Sequence, residues 1–232
     1  MSSMRDTMVL ARHVRVWPTA LAYASMADSA RDATARAAIE LWFSRRWPLV
    51  VRRPDDDEIF FADDCIAVGL PLPPALGKGR LKFRVASAGI AAHAPPLALD
   101  DVVAAMDPAW QRALAPLARD AARARSVLRV FGSAAWQAQT GLAYLHEWSD
   151  IDLLIEPADT SELDTAIALF ERFARQTAIR LDAEIVFPGG DAVAWREWHR
   201  AKGDGRVLAK SLARVALVRK ITLAERLERM AA

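Results

Sequence analysis

Apolar and polar positions along the chain alternate in two distinct rhythms. Arg31 to Trp47 is Ala-rich, with Ile39, Trp42 and Phe43 near helical spacing, and Pro48 stops it. That pattern predicts a helix. Leu49-Val50-Val51 is a short β-branched run, ended by Pro54 and the acidic cluster Asp55-Asp56-Asp57-Glu58. Ile59 to Val68 reads as one or two strands, and Pro71, Pro73 and Pro74 break regular structure after it. Leu81, Phe83 and Val85 alternate with Arg80, Lys82 and Arg84. This period of two predicts a strand with one apolar and one basic face. Gly77-Lys78-Gly79-Arg80 lacks the full phosphate-loop pattern and reads as a hairpin turn.

Pro95-Pro96 and Asp100-Asp101 mark a seam, with Asp100 as a candidate helix cap. Val102 to Arg125 is a long helical pattern interrupted by Pro108 and Pro116. Val127 to Phe131 predicts a strand, Gly132-Ser133 ends it, and Ala134 to Gln139 suits a short helix. A second strand is expected over Asp150 to Ile155, stopped by Pro157. Thr160 or Ser161 would cap a helix to about Arg175, with Leu163, Ile167, Phe170 and Phe173 or Ala174 on one face. Leu181 to Phe187 predicts a third strand, Pro188 to Asp191 a turn, and Ala192 onward two helical segments parted by Gly203 and Gly205.

The expected class is α+β. It comprises an N-terminal small α/β domain over residues 1–105 and a C-terminal domain over 106–232 with a short mixed sheet flanked by helices. With 53% apolar and 26% charged residues, the 232-residue chain can bury a real core. Its 31 basic and 29 acidic residues leave a net charge of +2, but Arg112 to Arg129 and Arg206 to Lys220 are locally basic. Such runs suit an anionic ligand. No nucleic-acid-binding pattern is present, so no nucleic-acid partner is expected. The lone Cys65 excludes an internal disulfide and a cysteine zinc site. No long uncharged apolar run occurs and Arg5, Asp6 and Arg12 interrupt the start, so a cytoplasmic protein without a membrane span is expected.

Candidate chemistry concentrates in one place. Gly132-Ser133 follows a strand, and Asp150-Ile151-Asp152 opens the next. Residues i and i+2 of a strand share a face, so the two carboxylates project together about 7 Å apart along the backbone. Paired carboxylates repel unless a cation lies between them, and all-oxygen ligands suit Mg²⁺. Asp182 and Glu184 share a face of the third strand, and either could complete the set, with Asp182 preferred as third metal ligand because it comes earliest. Gly132 and Ser133 are expected to bind phosphate through close backbone approach and a helix N-terminus. Arg129, Arg206 and Lys210 are candidates for holding an anionic group, with Lys210 singled out.

These residues resemble the polymerase-β-type nucleotidyltransferases, whose pattern is Gly-Ser, a spacer, then Asp-x-Asp. The spacer is longer here than the superfamily's usual one. Phe131-Gly132-Ser133-Ala134-Ala135-Trp136-Gln137-Ala138-Gln139-Thr140-Gly141-Leu142-Ala143-Tyr144-Leu145, followed by Ser149-Asp150-Ile151-Asp152, resembles the phosphoribosyl-dephospho-CoA transferases of malonate decarboxylase. So do Pro48 to Arg53, Val68 to Pro73, Asp182-Ala183-Glu184 and Ala194 to Trp198. The resemblance implies a Mg²⁺-dependent enzyme. It would join 2′-(5″-triphosphoribosyl)-3′-dephospho-CoA to a serine of the decarboxylase acyl carrier subunit and release pyrophosphate. Asp150, Asp152, Asp182 and Glu184 would then be the catalytic acids, and Gly132, Ser133, Trp136 and Lys210 the substrate-binding residues. Trp136 would either stack on adenine or pack in the core. The first domain, with its basic strand at Arg80 to Val85, would bind the donor or an acidic carrier. The rival readings are transfer of an ordinary nucleotide to another acceptor and a catalytically silent binding module.

Overall fold

The computed structural model describes residues 10–55, 58, 64–77 and 79–231. Arg5, Asp6, Asp56, Asp57, Lys78 and the first half of the stretch expected as strand from Ile59 lie outside these residues. The chain divides between Pro95 and Pro96 into two compact units.

The first unit holds a five-stranded sheet ordered β4-β3-β2-β1-β5. Its strands are β1 (Arg15–Pro18), β2 (Leu49–Val51), β3 (Cys65–Pro71), β4 (Arg80–Ala86) and β5 (Ile90–Ala94), all paired antiparallel. Helices α1 (Ala20–Asp28) and α2 (Ala33–Arg45) pack on each other. The Asp32 side chain accepts from the Ala35 amide and starts α2. The helix ends at Arg46, left-handed at φ 52°, just before the Pro48 that the sequence marks as a stop. Ile39, Trp42, Leu49, Val68 and Leu70 form the fully buried centre. Between β3 and β4 the Leu72 amide donates to the Gly79 carbonyl, so Gly77 and Gly79 lie in the connection of a hairpin, as their sequence suggests. β1, α1 and β5 were not foreseen, since each is short and weakly periodic.

The second unit holds a seven-stranded sheet ordered β12-β11-β10-β9-β8-β7-β6. The strands are β6 (Leu97–Ala98), β7 (Arg129–Phe131), β8 (Ile151–Ile155), β9 (Leu181–Val186), β10 (Ala192–Ala194), β11 (Arg206–Lys210) and β12 (Val215–Arg219). β8 and β9 run parallel and the other pairs antiparallel, so the sheet is mixed. Between them lies α6 (Thr160–Gln176), the crossover a parallel pair requires. Asp159, rather than Thr160 or Ser161, caps α6, and Glu162 returns a bond to the Ala158 amide. α3 (Leu99–Ala104), α4 (Pro108–Arg123), α5 (Gly132–Thr140), α7 (Trp195–Arg200) and α8 (Lys220–Ala231) complete the unit.

Three expectations change here. The long pattern from Val102 splits where Pro108 occupies the first turn of α4, capped by Asp107, while Pro116 stays inside that helix. The buried stripe Leu114, Leu117, Ala118 and Ala121 holds the turn that proline weakens. Asp100 lies in the first turn of α3, whose N-cap is Ala98. The region after Ala192 holds strands as well as the two expected helical segments: α7 and α8 are helical, and β10, β11 and β12 take up the stretches before and between them. Arg206 to Lys210 and Val215 to Arg219 are five residues each, too short for their apolar content to separate the two periods.

One face of this sheet is the core. Ile151, Leu153 and Ile155 of β8 pack with Leu114, Phe170, Trp195, Trp198 and Leu223. Each aliphatic side chain removed from water contributes about 1.5–3 kcal/mol. That burial fixes which way β8 turns, and so sends Asp152 to the opposite face.

Candidate active site

The register of the parallel pair assembles the site. Ile151 pairs with Leu181 and Asp152 with Asp182, so the acid-bearing starts of β8 and β9 coincide. Asp150 directly precedes β8. One carboxylate oxygen from each of Asp150, Asp152 and Asp182 lies within 4.8 Å of the others. Two of these side chains are half-buried and Asp182 is exposed. Glu184 pairs with Leu154, one step further along the same face, and is not among the three.

On the other side, Phe131 of β7 pairs with Asp152. The chain then turns at Gly132 into α5. Gly132 has φ +66°, and a Cβ there would sit 1.8 Å from the Asp152 Oδ2. Both the left-handed backbone and the space demand glycine. α5 has no side-chain cap at its start, so no capping side chain occupies the amides of its first turn, Ser133 among them.

The electrostatics show a site rich in negative charge. Burial first, then Asp150, Asp182 and Glu184, push the Asp152 carboxyl up to about 7. Arg180 is the cation that opposes this: its Nη2 donates to Asp150 Oδ2 at 2.6 Å. The Arg180 carbonyl also accepts from the Ile151 amide, so its main chain is anchored while its side chain stays 74% exposed. Arg180 escaped the sequence reading. The signal available was its position two residues before Asp182, which puts both on one face.

The remaining predicted residues lie elsewhere. Trp136 is buried at 7% exposure, and the Thr140 hydroxyl donates to its carbonyl. Lys210 pairs with Ala192, which pairs with Val186. That sets Lys210 level with the far end of β9, roughly 13 Å along and 10 Å across the sheet from Asp182. Arg129 donates to the Pro96 carbonyl. In the family-like spacer, Gln137 accepts from the Leu145 amide and Gly141 ends α5 at φ 73°, so these residues shape the loop into β8. Trp195 and Trp198 are buried in the core, and Glu197 accepts from the Leu208 amide.

This mixed sheet with its acid cluster, together with the matches to known proteins, defines a transferase. Residues 97–221 match the model of the phosphoribosyl-dephospho-CoA transferase MdcG C-terminal domain, and residues 11–96 that of its N-terminal domain. The chain belongs to this phosphoribosyl-dephospho-CoA transferase family. It is 37% identical over 187 residues to the phosphoribosyl-dephospho-CoA transferase of Xanthomonas campestris pv. campestris, covering 81% of this chain and 84% of that one. The Bradyrhizobium diazoefficiens protein of the same name is 34% identical over 207 residues, 89% of each chain. That of Pseudomonas aeruginosa is 34% identical over 167 residues, covering 71% and 74%. No solved structure matches. Among the described residues no helix is long and apolar enough to cross a membrane.

Proposed function

We propose that this chain transfers the phosphoribosyl-dephospho-CoA group from 2′-(5″-triphosphoribosyl)-3′-dephospho-CoA to a serine hydroxyl of the malonate decarboxylase acyl carrier subunit. The observation that carries the reading is the convergence of Asp150, Asp152 and Asp182 to within 4.8 Å. Three hard oxygen donors, one of them destabilised as an anion, fit Mg²⁺ better than any softer ion. Bound there, Mg²⁺ would neutralise charge on the triphosphate.

The chain's own residues do the rest. The amides of Gly132 and Ser133 hold phosphate oxygens at the start of α5. Arg180 exchanges Asp150 for a phosphate oxygen of the leaving group, a planar fork suited to that contact. Asp182, the most open of the three acids, takes the proton from the serine hydroxyl. The serine oxygen bonds to the α-phosphorus as the α–β phosphoanhydride bond breaks, and pyrophosphate leaves. The basic face of β4 in the first unit, with Arg80, Lys82 and Arg84, is assigned to the donor or the acidic carrier. The protein is assigned to the cytoplasm, where its single cysteine stays reduced.

The test is intact mass of apo acyl carrier subunit incubated with donor and enzyme. A gain equal to phosphoribosyl-dephospho-CoA, abolished by EDTA and by Asp152→Asn, is expected. No gain with active donor and folded wild type would refute the reading.

A further inference from the structure

The loop that delivers Asp150 to the acid cluster carries an unusual side chain. Trp148 is 82% exposed, more than any other large apolar residue described. An indole normally hides most of its surface, since it presents well over 100 Å² of apolar area. The exposure is not slack in the loop. The Leu145 amide is tied to Gln137 Oε1 of α5 at 2.9 Å. The His146 amide donates to Ser149 Oγ at 3.0 Å, and the Ser149 amide returns to the His146 carbonyl at 2.9 Å. Ser149 itself is buried. The turn from His146 to Ser149 is therefore closed by two bonds and holds the indole outward. No ring or cation of the described residues stacks on it.

Position supplies the meaning. Two residues of chain span at most about 7 Å, so the Trp148 backbone lies at the rim of the acid cluster. A planar group stacked on its indole would sit within a nucleotide's length of a phosphate held by Asp150 and Asp152. The neighbouring charges select what kind of group. Glu147 is exposed beside it and Asp150 lies just beyond. An acidic protein surface is disfavoured there, whereas an uncharged heteroaromatic ring is not. Bases stack on exposed aromatics through their π-faces, which requires no hydrogen-bond pattern from the loop.

We propose that Trp148 is the stacking platform for the adenine ring of the donor, a base-binding subsite at the edge of the acid cluster. The inference rests on the transfer reading above. It also separates the tryptophans by task, because Trp136, the nearer one in the family-like motif, is buried.

The experiment is calorimetric titration of the full-length protein with dephospho-CoA and, separately, with 4′-phosphopantetheine, which lacks the adenosine. Wild type, Trp148→Phe and Trp148→Ala are compared in Mg²⁺ buffer. Trp148→Ala should weaken dephospho-CoA by about tenfold, the scale of one base stack. Trp148→Phe should stay within about threefold of wild type, and all three proteins should bind 4′-phosphopantetheine alike. In the transfer assay the alanine variant should raise the donor KM and leave kcat nearly unchanged. Equal dephospho-CoA affinity in wild type and alanine variant overturns the proposal. So does an equal loss for both ligands, or a rise in the carrier KM with the donor KM unmoved, which would make Trp148 a docking residue instead. If wild type binds neither ligand and transfers nothing, the transfer reading itself falls and takes the inference with it.

Discussion

Two carboxylates in this chain show opposite ways of treating a negative charge. In the first unit, Arg52 holds Glu58 with both terminal nitrogens, at 2.7 and 2.5 Å, and the Asp55 amide adds a third bond at 2.6 Å. The Arg52 hydrogen bonds, outweighing the opposing effect of burial, draw the Glu58 carboxyl down to about 2. In the second unit, burial and three neighbouring acids push Asp152 up to about 7, and the single Arg180 contact goes to Asp150 instead. Glu58 is complete as it stands. Asp152 is held in a state that a further cation would relieve. The contrast teaches how to tell a structural ion pair from a functional one: the first satisfies its charge internally, the second leaves charge for something to bind.

The largest expected effect breaks the second half of this comparison outright. Asp152→Asn should lower transfer at least a thousandfold, the scale of several kcal/mol of metal-assisted stabilisation, and abolish Mn²⁺ binding read by electron paramagnetic resonance. Gly132→Ala should follow at roughly a hundredfold, because its Cβ would collide with the Asp152 carboxylate 1.8 Å away. Its fold, read by circular dichroism, should be retained.

Stability against pH sharpens the comparison without touching activity. Glu58→Gln should cost about 3 kcal/mol at pH 7 in urea unfolding, since it removes the two-pronged carboxylate partner of the buried Arg52 and leaves Asp55, at 3.5 Å, as its remaining acid. The wild-type contribution of Glu58, whose folded pKa is depressed, is full above its unfolded value of 4.5 and is lost as pH falls towards about 2. Asp152 runs the other way. Its folded pKa is raised, so its contribution is full below 3.8 and is lost as pH rises through about 7. Asp152→Asn should therefore flatten the decline from pH 4 to 7 in metal-free protein, and Glu58→Gln the decline below pH 4.5. Divalent-ion affinity should drop by up to tenfold per pH unit below 7, as one proton competes for Asp152. The smallest effect belongs to Arg180→Gln, which should move the Asp152 titration slightly further up, followed by the carboxyl signal in NMR. Arg180 is the last of the named influences on that group.

Much of the site was legible because a strand repeats every two residues. That rule alone set Asp150 beside Asp152 and put Asp182 and Glu184 on one face. The preference for Asp182 over Glu184 rests on its place at the start of its strand; what no local pattern encodes is the parallel register, a contact between segments thirty residues apart that sets Asp182 level with Asp152. The place of Lys210 in the sheet is set by the same kind of register, since the charge run that draws attention to it says nothing about which end of the sheet it reaches. Trp136 and Trp148 look alike in sequence. Only the packing of α5 buries one, and only the closed turn at Ser149 exposes the other. The strands after Ala192 were hidden by length: five residues of mixed apolar character fit a helix as well as a strand.

The parallel pairing of β8 with β9 also sets when the acid cluster comes into being. Antiparallel neighbours such as β11 and β12 close locally, but β8 and β9 can meet only after the whole of α6 has folded back across the sheet. Non-local closure of this kind is slow. The mutual repulsion of Asp150, Asp152 and Asp182 is therefore met only when that crossover closes. A divalent ion added during refolding would act as a clasp on that step, and its capture would mark the moment the three acids come together.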